Sequence, residues 1–303
     1  EEHTIAEALK EQGYTTGGFG KWGLGATWST GSPIKQGFDR FYGYNCQRNA
    51  HSYYPAYLDS DEEQVTINSK AIKGHQKQKS GEVIADDYRS EVYAPDLILD
   101  QAVKFIDINK NKPFFLYLPF VEPHLAMQPH QVDIDMYPKE WDDKPYRGQR
   151  GYTPHPRPRA GYAAMITDLD NHVGTIIKKL KDDGIYDNTV IIFTSDNGPT
   201  HDVGGADTNF FNSASGLRSR KGSVYEGGLR VPLIVKWKGI TQPGSTSDTV
   251  SYFPDWFPTL LDIAGGDPST APKDGIDLVP AFSGKATATR QEPMFWEFHG
   301  YGG

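Results

Sequence analysis

Apolar and polar positions along the chain follow helical and strand patterns in turn, beginning within the first residues. Apolar stripes of roughly helical period predict helices over residues 4–12, 97–108, 162–183 and 254–264. Runs of apolar or small residues predict strands over residues 14–19, 113–121, 189–194 and 233–237, and the runs at 113–121 and 189–194 are apolar enough for strands buried on both faces. This alternation predicts an α/β fold, a three-layer α/β/α sandwich around a central mixed, mostly parallel sheet.

Two long segments separate these elements. Residues 26–92 are rich in loops, with a polar strand predicted at 64–67. The proline-rich residues 127–160 are predicted to form a surface excursion of the kind that covers a site. The chain begins without an initiator methionine, and residues 295–299 have the pattern of an interrupted strand. We therefore expect a fragment whose fold is incomplete at both ends.

Composition narrows the classes of function. The chain has 31 basic and 39 acidic residues and a net charge of -8, without a long basic block, so a nucleic-acid partner is not expected. No apolar run approaches the roughly 20 residues of a membrane span. Cys46 is the single cysteine, which excludes an internal disulfide and a thiolate zinc cluster. We predict that Cys46 is a small buried side chain.

Candidate chemistry follows the predicted strands, because ligands of such sheets bind at the carboxyl ends of the strands. Asp196 and Asn197 offer hard oxygen ligands for calcium or magnesium, although Asp-Asn-Gly is also ordinary turn chemistry. His124 can donate a proton or serve as a structural histidine. Lys21 and Lys221, each in a glycine-containing loop, can contact a bound anion or remain solvated. Together these residues suit stabilisation of charge on a sulfuryl or phosphoryl group.

Several motifs in this order resemble the sulfatase family, the formylglycine-dependent, arylsulfatase-like enzymes of the alkaline-phosphatase-like superfamily. The similarity covers nearly the whole chain and is most specific over residues 187–232. It is carried by Gly20-Lys21-Trp22, Pro123-His124, Asp168-Leu169-Asp170, Ser195-Asp196-Asn197-Gly198, Lys221-Gly222 and Tyr225 to Pro232.

The resemblance implies hydrolysis of a sulfate ester by a formylglycine made from a cysteine or serine, together with one calcium ion. It implies that Asp196 and Asn197 are two of the Ca2+ ligands. By the same match, Lys21, His124 and Lys221 correspond to the catalytic cations and proton donors that contact the sulfate, with His124 or Lys221 protonating the leaving alcohol.

The chain departs from the family pattern at two places. Gly23 stands where the family has a histidine that helps to eliminate sulfate from the formylglycine. That role is either lost or taken by another residue, with His51 and His201 as candidates and possible substrate contacts. The nucleophile motif and the first metal-binding Asp pair are absent, and the sequence after Cys46 does not fit that motif. We therefore interpret residues 1–303 as a partial catalytic domain without its nucleophile segment and C-terminal subdomain, and we expect it to be inactive alone.

For the full-length parent, the sequence favours a sulfatase acting on a sulfated carbohydrate or an aryl sulfate. The carbohydrate is suggested by Tyr53, Tyr54 and the excursion at 127–160. One alternative is a phosphatase or phosphodiesterase of the same superfamily, against which Asn197 argues. Another is a non-catalytic glycan-binding relative, which Gly23 favours. Calcium and sulfated glycans suggest an exported protein, periplasmic, secreted or lysosome-like. No membrane partner is expected, and the oligomeric state is open.

Overall fold

A computed structural model describes residues 2–142 and 144–298 of the chain. The strands of this part are β1 (Thr15–Lys21), β2 (Arg40–Tyr44), β3 (Tyr57–Ser60), β4 (Glu63–Thr66), β5 (Phe114–Tyr117), β6 (Ile191–Thr194) and β7 (Leu233–Lys236). The α-helices are α1 (Ile5–Glu11), α2 (Ala94–Asn109), α3 (Gln131–Asp135), α4 (Pro158–Asp182), α5 (Glu226–Leu229), α6 (Trp256–Ile263) and α7 (Val279–Phe282). None of the described helices is both long and apolar enough to cross a bilayer.

The larger sheet has five strands in the order β4-β3-β2-β1-β5. Strand β1 pairs in parallel with β2 on one side and with β5 on the other, whereas β2-β3 and β3-β4 are antiparallel. The sheet is therefore mixed and has a parallel centre, as the sequence predicts. The expected polar strand at 64–67 is confirmed as β4, while β2 lies inside a segment that the sequence predicts only as loop-rich.

Strands β6 and β7 form a separate antiparallel pair, so the strand predicted at 233–237 does not join the larger sheet in this structure. The expectation that the runs at 113–121 and 189–194 are buried on both faces is wrong here. Both strands are shorter than predicted, and their side chains are only partly buried. The reason is pairing: β5 is an edge strand beside β1 only, and β6 has β7 as its single neighbour.

Helices cover both faces of the larger sheet. On one face, α2 packs so closely on β1 that a Cβ atom on Gly17 would lie 2.7 Å from the Phe105 ring. On the other, the Thr16 hydroxyl and backbone N–H contact Asp39, which pairs with Lys10 of α1 at 2.8 Å. Helix α4 packs on α2 and α6 packs on α1. The predicted α/β/α layering is thus present around β1.

Helices α2 and α4 begin earlier than the sequence predicts, by three and four residues. In both helices a proline occupies the first turn, where its missing N–H costs no hydrogen bond. Pro95 and Pro158 therefore start these helices instead of ending the segments before them. Helix α1 is confirmed, and Thr4 caps it with a reciprocal hydrogen bond to Glu7.

The segment 127–160 is not simply a surface excursion. It contains α3 and a β-bridge between Tyr146 and His155, and Met127, Ile134 and His155 are buried. Arg157 also ties the segment together through hydrogen bonds to the Ile134 and Tyr137 carbonyls. Its prolines thus shape a packed loop against α4, and only part of it borders the candidate site.

Two smaller predictions are wrong. Cys46 is exposed, because it lies in the turn after β2 and not within the core. Residues 295–298, where the interrupted strand is expected, form no strand in the described structure, and His299 lies outside the described residues.

Candidate active site

Lys21 is the last residue of β1, at the edge where parallel strands end. Its backbone N–H donates to the Pro119 carbonyl at 2.8 Å, which joins the end of β1 to the segment after β5. The strands approach closely there: Gly20 has φ +140°, and a Cβ atom on it would lie 2.1 Å from the Pro119 oxygen. Only glycine permits this approach. It brings Lys21 beside the segment that carries His124.

His124 is held from two sides. Its backbone carbonyl accepts a hydrogen bond from the buried Tyr53 hydroxyl at 2.6 Å. Its ring Nδ1 lies 2.7 Å from the Leu125 carbonyl, which only accepts, so Nδ1 carries the proton. Burial, together with the charges of Lys221, Lys21 and His51, lowers the pKa of His124 to about 3. Neutral His124 therefore exposes an unprotonated Nε2.

Lys221 enters from a loop anchored on residues that follow β6. Its N–H donates to the Pro199 carbonyl at 2.9 Å, and the Gly198 N–H donates to the Gly228 carbonyl at 2.9 Å. Burial, followed by the charge of Lys221, lowers the pKa of Lys21, and Asp196 opposes this effect. These mutual effects show that Lys21, His124, Lys221 and Asp196, far apart in sequence, share one electrostatic environment.

Asp196 and Asn197 directly follow β6, as predicted. The Asn197 amide Nδ2 donates to the Gly198 carbonyl at 2.9 Å, which leaves Oδ1 available as a ligand, and Asp196 is exposed. The side-chain oxygens of Asp196 and Asn197 are of the type that binds calcium, but a calcium ion takes six to eight oxygen ligands. Within the described ranges, no third His, Cys, Asp or Glu completes a metal-ligating group with Asp196. These two residues therefore form a partial site.

A second, buried group that can hold a metal ion includes Glu122, two residues before His124 in sequence. One ligand atom each of Glu122, Asp168 and His172 fall within 4.8 Å of one another. His172 Nδ1 lies 3.0 Å from Glu122 Oε1, and Glu122 Oε2 has no hydrogen-bond partner among the described residues. Burial opposes protonation of His172, but Asp96, Glu122 and Asp168 outweigh it and raise its pKa to about 10. When no metal ion is bound, the protonated His172 ring supplies the positive charge beside the carboxylates of Glu122 and Asp168.

His51 reaches the site from a 3-10 turn, and its ring stacks on that of His124 with centroids 5.3 Å apart. His51 Nδ1 lies 2.8 Å from Nε2 of His75, whose Nδ1 accepts from the Tyr152 N–H at 3.1 Å. The backbone donor thus assigns the proton of neutral His75 to Nε2, and His75 donates to His51. Neutral His51 therefore carries its own proton on Nε2.

The environment keeps His51 neutral. Burial, together with the charges of His75, Arg48, Lys21 and Lys221, lowers its pKa to about 4. His51 and His124 thus offer a donor and an acceptor side by side. His75 and Tyr152, which complete this arrangement, were missed in the sequence, because no local motif links residues so far apart.

His201 and Gly23 are placed differently from His51. His201 is exposed and lies 3.3 Å from the Lys221 carbonyl through Nδ1. Gly23 has φ +79°, and a Cβ atom on it would lie 2.4 Å from Gln47 Cγ. Gln47 therefore occupies the space next to position 23. Of the two candidate replacements for the histidine missing there, His51 lies against His124 and His201 lies beside Lys221.

Tyr53 and Tyr54 are not available to a carbohydrate. Both are buried in the core, where Tyr53 stacks on Tyr93 and Tyr54 packs against the same ring at a tilt of 50°. The interpretation that they line a sugar cleft is wrong. Their aromatic character serves packing, and the Tyr53 hydroxyl serves His124.

Solved structures identify the class of this fold. The crystal structure of Ps i-CgsB in complex with k-i-k-neocarrahexaose is 27% identical with a TM-score of 0.69, covering 92% of this chain and 57% of that one. Phosphonate monoester hydrolase SpPMH from Silicibacter pomeroyi, at 20% identity and a TM-score of 0.60, shares the fold and covers 97% of this chain and 62% of its own. The chain thus has the α/β fold of the alkaline-phosphatase-like superfamily.

Within that class, the chain belongs to the sulfatase family, whose model matches residues 1–266. Arylsulfatase A of Homo sapiens is 31% identical over 98% of this chain and 54% of its own length. N-acetylgalactosamine-6-sulfatase of Canis lupus familiaris is 30% identical over 98% of this chain and 51% of its own length. The chain spans about half the length of such curated relatives.

Proposed function

We propose that the full-length parent hydrolyses sulfate esters, with a sulfated carbohydrate as substrate. The observation that carries this proposal is the convergence of Lys21, Lys221, His124 and His51 beside Asp196. Such a group supplies positive charge and hydrogen-bond donors to the oxygens of a sulfuryl group in a partly desolvated setting. The neocarrahexaose bound to Ps i-CgsB and the substrate named for the canine relative support a sulfated sugar.

In this proposal the ammonium groups of Lys21 and Lys221 bind sulfate oxygens, and the His51 Nε2–H donates to another. His124 presents its unprotonated Nε2 atom to the ester group of the substrate. Burial is the main cause of the low pKa of His124, and the lysine charges lower it too. An anionic ester opposes those charges, so substrate binding favours protonation at Nε2 and prepares a donor for the leaving oxygen. His75 acts as a positioning residue, because it sets the tautomer of His51.

The family also implies a calcium ion and a formylglycine nucleophile. Asp196 and Asn197 are the residues that would hold the ion, which supplies Lewis-acid polarisation of the sulfuryl oxygens when bound. No residue of this chain is assigned as the nucleophile, and we expect the 303-residue chain alone to be inactive. We also propose that the full-length parent is exported.

Binding of a sulfated glycan without turnover is a second candidate function. It is favoured by Gly23, whose neighbouring space is filled by Gln47. The same residues would then hold a sulfate group that is never cleaved.

The test compares hydrolysis of an aryl sulfate, an aryl phosphate and a sulfated oligosaccharide by the complete protein. We expect turnover of the sulfates and a loss of about 100-fold or more in kcat/KM for Lys221→Ala and His124→Ala. Lys178→Ala, at a side chain that is 73% exposed, is the control and should retain wild-type rates. Faster turnover of the phosphate would overturn the proposal, and binding without turnover of any ester would establish the second candidate.

A further inference from the structure

Two segments of this acidic protein are basic throughout. Residues 69–81 contain four lysines and His75, residues 144–152 contain one lysine and two arginines, and neither stretch has an aspartate or glutamate, although the net charge of the chain is -8. The seven cations are Lys70, Lys73, Lys77, Lys79, Lys144, Arg147 and Arg150. Such a local excess of one sign in a protein of the opposite sign marks a surface for an anionic ligand.

The fold brings the two segments together. The Gln78 N–H donates to the Arg147 carbonyl at 3.1 Å, and the Gln76 N–H donates to the Tyr152 carbonyl at 3.4 Å. The contact is tight, because a Cβ atom on Gly148 would lie 2.0 Å from the Gln76 oxygen. An open cleft of about 460 Å³ lies between them, and its polar lining includes His75, Gln76, Lys77, Gln149 and Arg150.

The cations of this cleft are not neutralised by the protein. None of the seven has a carboxylate within 4.0 Å in the described part of the chain. The Arg150 guanidinium donates to the backbone carbonyl of Asp202, whose carboxylate pairs with Arg220 instead. Lys77 and Arg150 are exposed at the cleft and keep their charges available.

The cleft is continuous with the candidate active site. His75 lines the cleft and donates to His51, which stacks on His124. Tyr152 stacks on His75, with ring centroids 4.6 Å apart. One imidazole ring therefore separates the cleft from the residues proposed to bind the scissile sulfate.

We propose that this cleft binds a second anionic group, a sulfate or carboxylate, of the same glycan whose sulfate ester is cleaved. The proposal rests on the proposed function and deepens it: the substrate is a polyanionic oligosaccharide with charges on neighbouring sugars. Lys77 and Arg150 bind the anionic group, and Gln76 and Gln149 offer amides to sugar hydroxyls. A single-stranded nucleic acid is disfavoured, because the lining residues include no Phe, Tyr or Trp on which successive bases could stack.

The experiment measures equilibrium binding and hydrolysis with the complete protein, using a per-sulfated hexasaccharide, its desulfated counterpart, an aryl sulfate and single-stranded DNA of equal charge. We compare Lys77→Ala/Arg150→Ala with the control Lys178→Ala/Lys285→Ala, which removes two exposed charges outside the cleft. The cleft variant should weaken hexasaccharide binding by about tenfold or more and leave aryl sulfate hydrolysis within twofold of wild type.

Unchanged hexasaccharide binding in the cleft variant, or an equal loss in the control, would refute the cleft assignment. Tighter binding of the DNA than of the hexasaccharide would refute the glycan as its ligand. Failure of the proposed function has a different signature, the absence of aryl sulfate hydrolysis by the wild-type protein. Hexasaccharide binding that depends on Lys77 and Arg150 would then still support an anionic-glycan cleft.

Discussion

The rings of His51 and His124 stack with centroids 5.3 Å apart and an interplanar angle of 18°, yet their hydrogen bonds assign them opposite protonated nitrogens. His124 keeps its proton on Nδ1 for the Leu125 carbonyl, and His51 keeps its proton on Nε2 because Nδ1 accepts from His75. The hydrogen-bond partner of each Nδ1 atom, the Leu125 carbonyl or the His75 N–H, thus makes His124 an acceptor and His51 a donor at Nε2.

The tautomer of His51 should depend on the donor at position 75. We expect His75→Leu to release the preference of His51 for Nε2–H and to lower kcat/KM for an aryl sulfate by about tenfold, the worth of one hydrogen bond in a partly desolvated site. Nitrogen NMR of the His51 ring measures the tautomer directly. His75→Gln retains an N–H donor and should recover part of both signals. An unchanged His51 spectrum in His75→Leu would contradict the assigned chain of hydrogen bonds.

Acid should destabilise the protein through His155. It is fully buried, Nδ1 accepts from the Arg157 N–H at 3.1 Å, and burial lowers its pKa to about 3. The unfolded chain binds this proton below about pH 6.5 and the native state does not, so stability falls as the pH drops from 6.5 toward 3. From pH 7 to pH 5 the loss from this group is about 2 kcal/mol.

Urea denaturation at pH 7 and pH 5 measures this effect. His155→Gln should reduce the difference in unfolding free energy between the two pH values, and His3→Gln, at an exposed histidine, should not. An identical pH dependence in His155→Gln and the wild type would show that His155 is not the group responsible.

Calcium should stabilise the complete protein through Asp196 and Asn197. At a free calcium concentration 100 times the dissociation constant, we expect about 2.7 kcal/mol of added stability. Thermal unfolding with calcium and with a chelator measures the shift for each variant. Asp196→Ala should abolish the shift and Asp168→Asn should preserve it. The reverse result would place the ion in the buried group of Glu122, Asp168 and His172.

Restoring a histidine at position 23 should require a second change. Gly23→His places a side chain at φ +79°, where its Cβ atom would meet Gln47 at 2.4 Å. We expect a loss of about 1–3 kcal/mol from backbone strain and overlap. Gly23→His/Gln47→Ala should regain part of that loss in a thermal unfolding experiment. If Gly23→His alone is as stable as the wild type, the loop accommodates the family histidine and Gln47 is not what excludes it.

The sequence predicts those parts of the fold that depend on local chemistry. The apolar periods of α1 and α4 and the small-residue strand β1 all have local signals, and each is found. Pairing is not local: nothing within the apolar run Ile191–Thr194 indicates that β6 has a single neighbour and remains partly exposed. The prediction that Cys46 is buried is wrong because its position in the turn after β2 is likewise set by the fold and not by the residue type.

The candidate site shows the same division. Lys21, His124, Asp196 and Lys221 could be found because each follows a predicted strand or lies in a glycine-containing loop with a family match. His75 has no such signal in the sequence. Its role can be recognised only from the contact with His51 that the fold creates. The assignment of Tyr53 to a sugar cleft failed because an aromatic side chain has the same appearance in sequence whether it packs in a core or lines a groove.

The partly exposed strands β5, β6 and β7 have a consequence for the behaviour of this chain in solution. Each has one edge without a strand partner in the described structure, and Ile234 of β7 is 62% exposed. Unpaired N–H and C=O groups beside apolar side chains form a template for strand addition between molecules. Concentrated samples of the isolated chain should therefore build up intermolecular β-structure, and a charged residue at position 234 should delay that assembly without touching the candidate site.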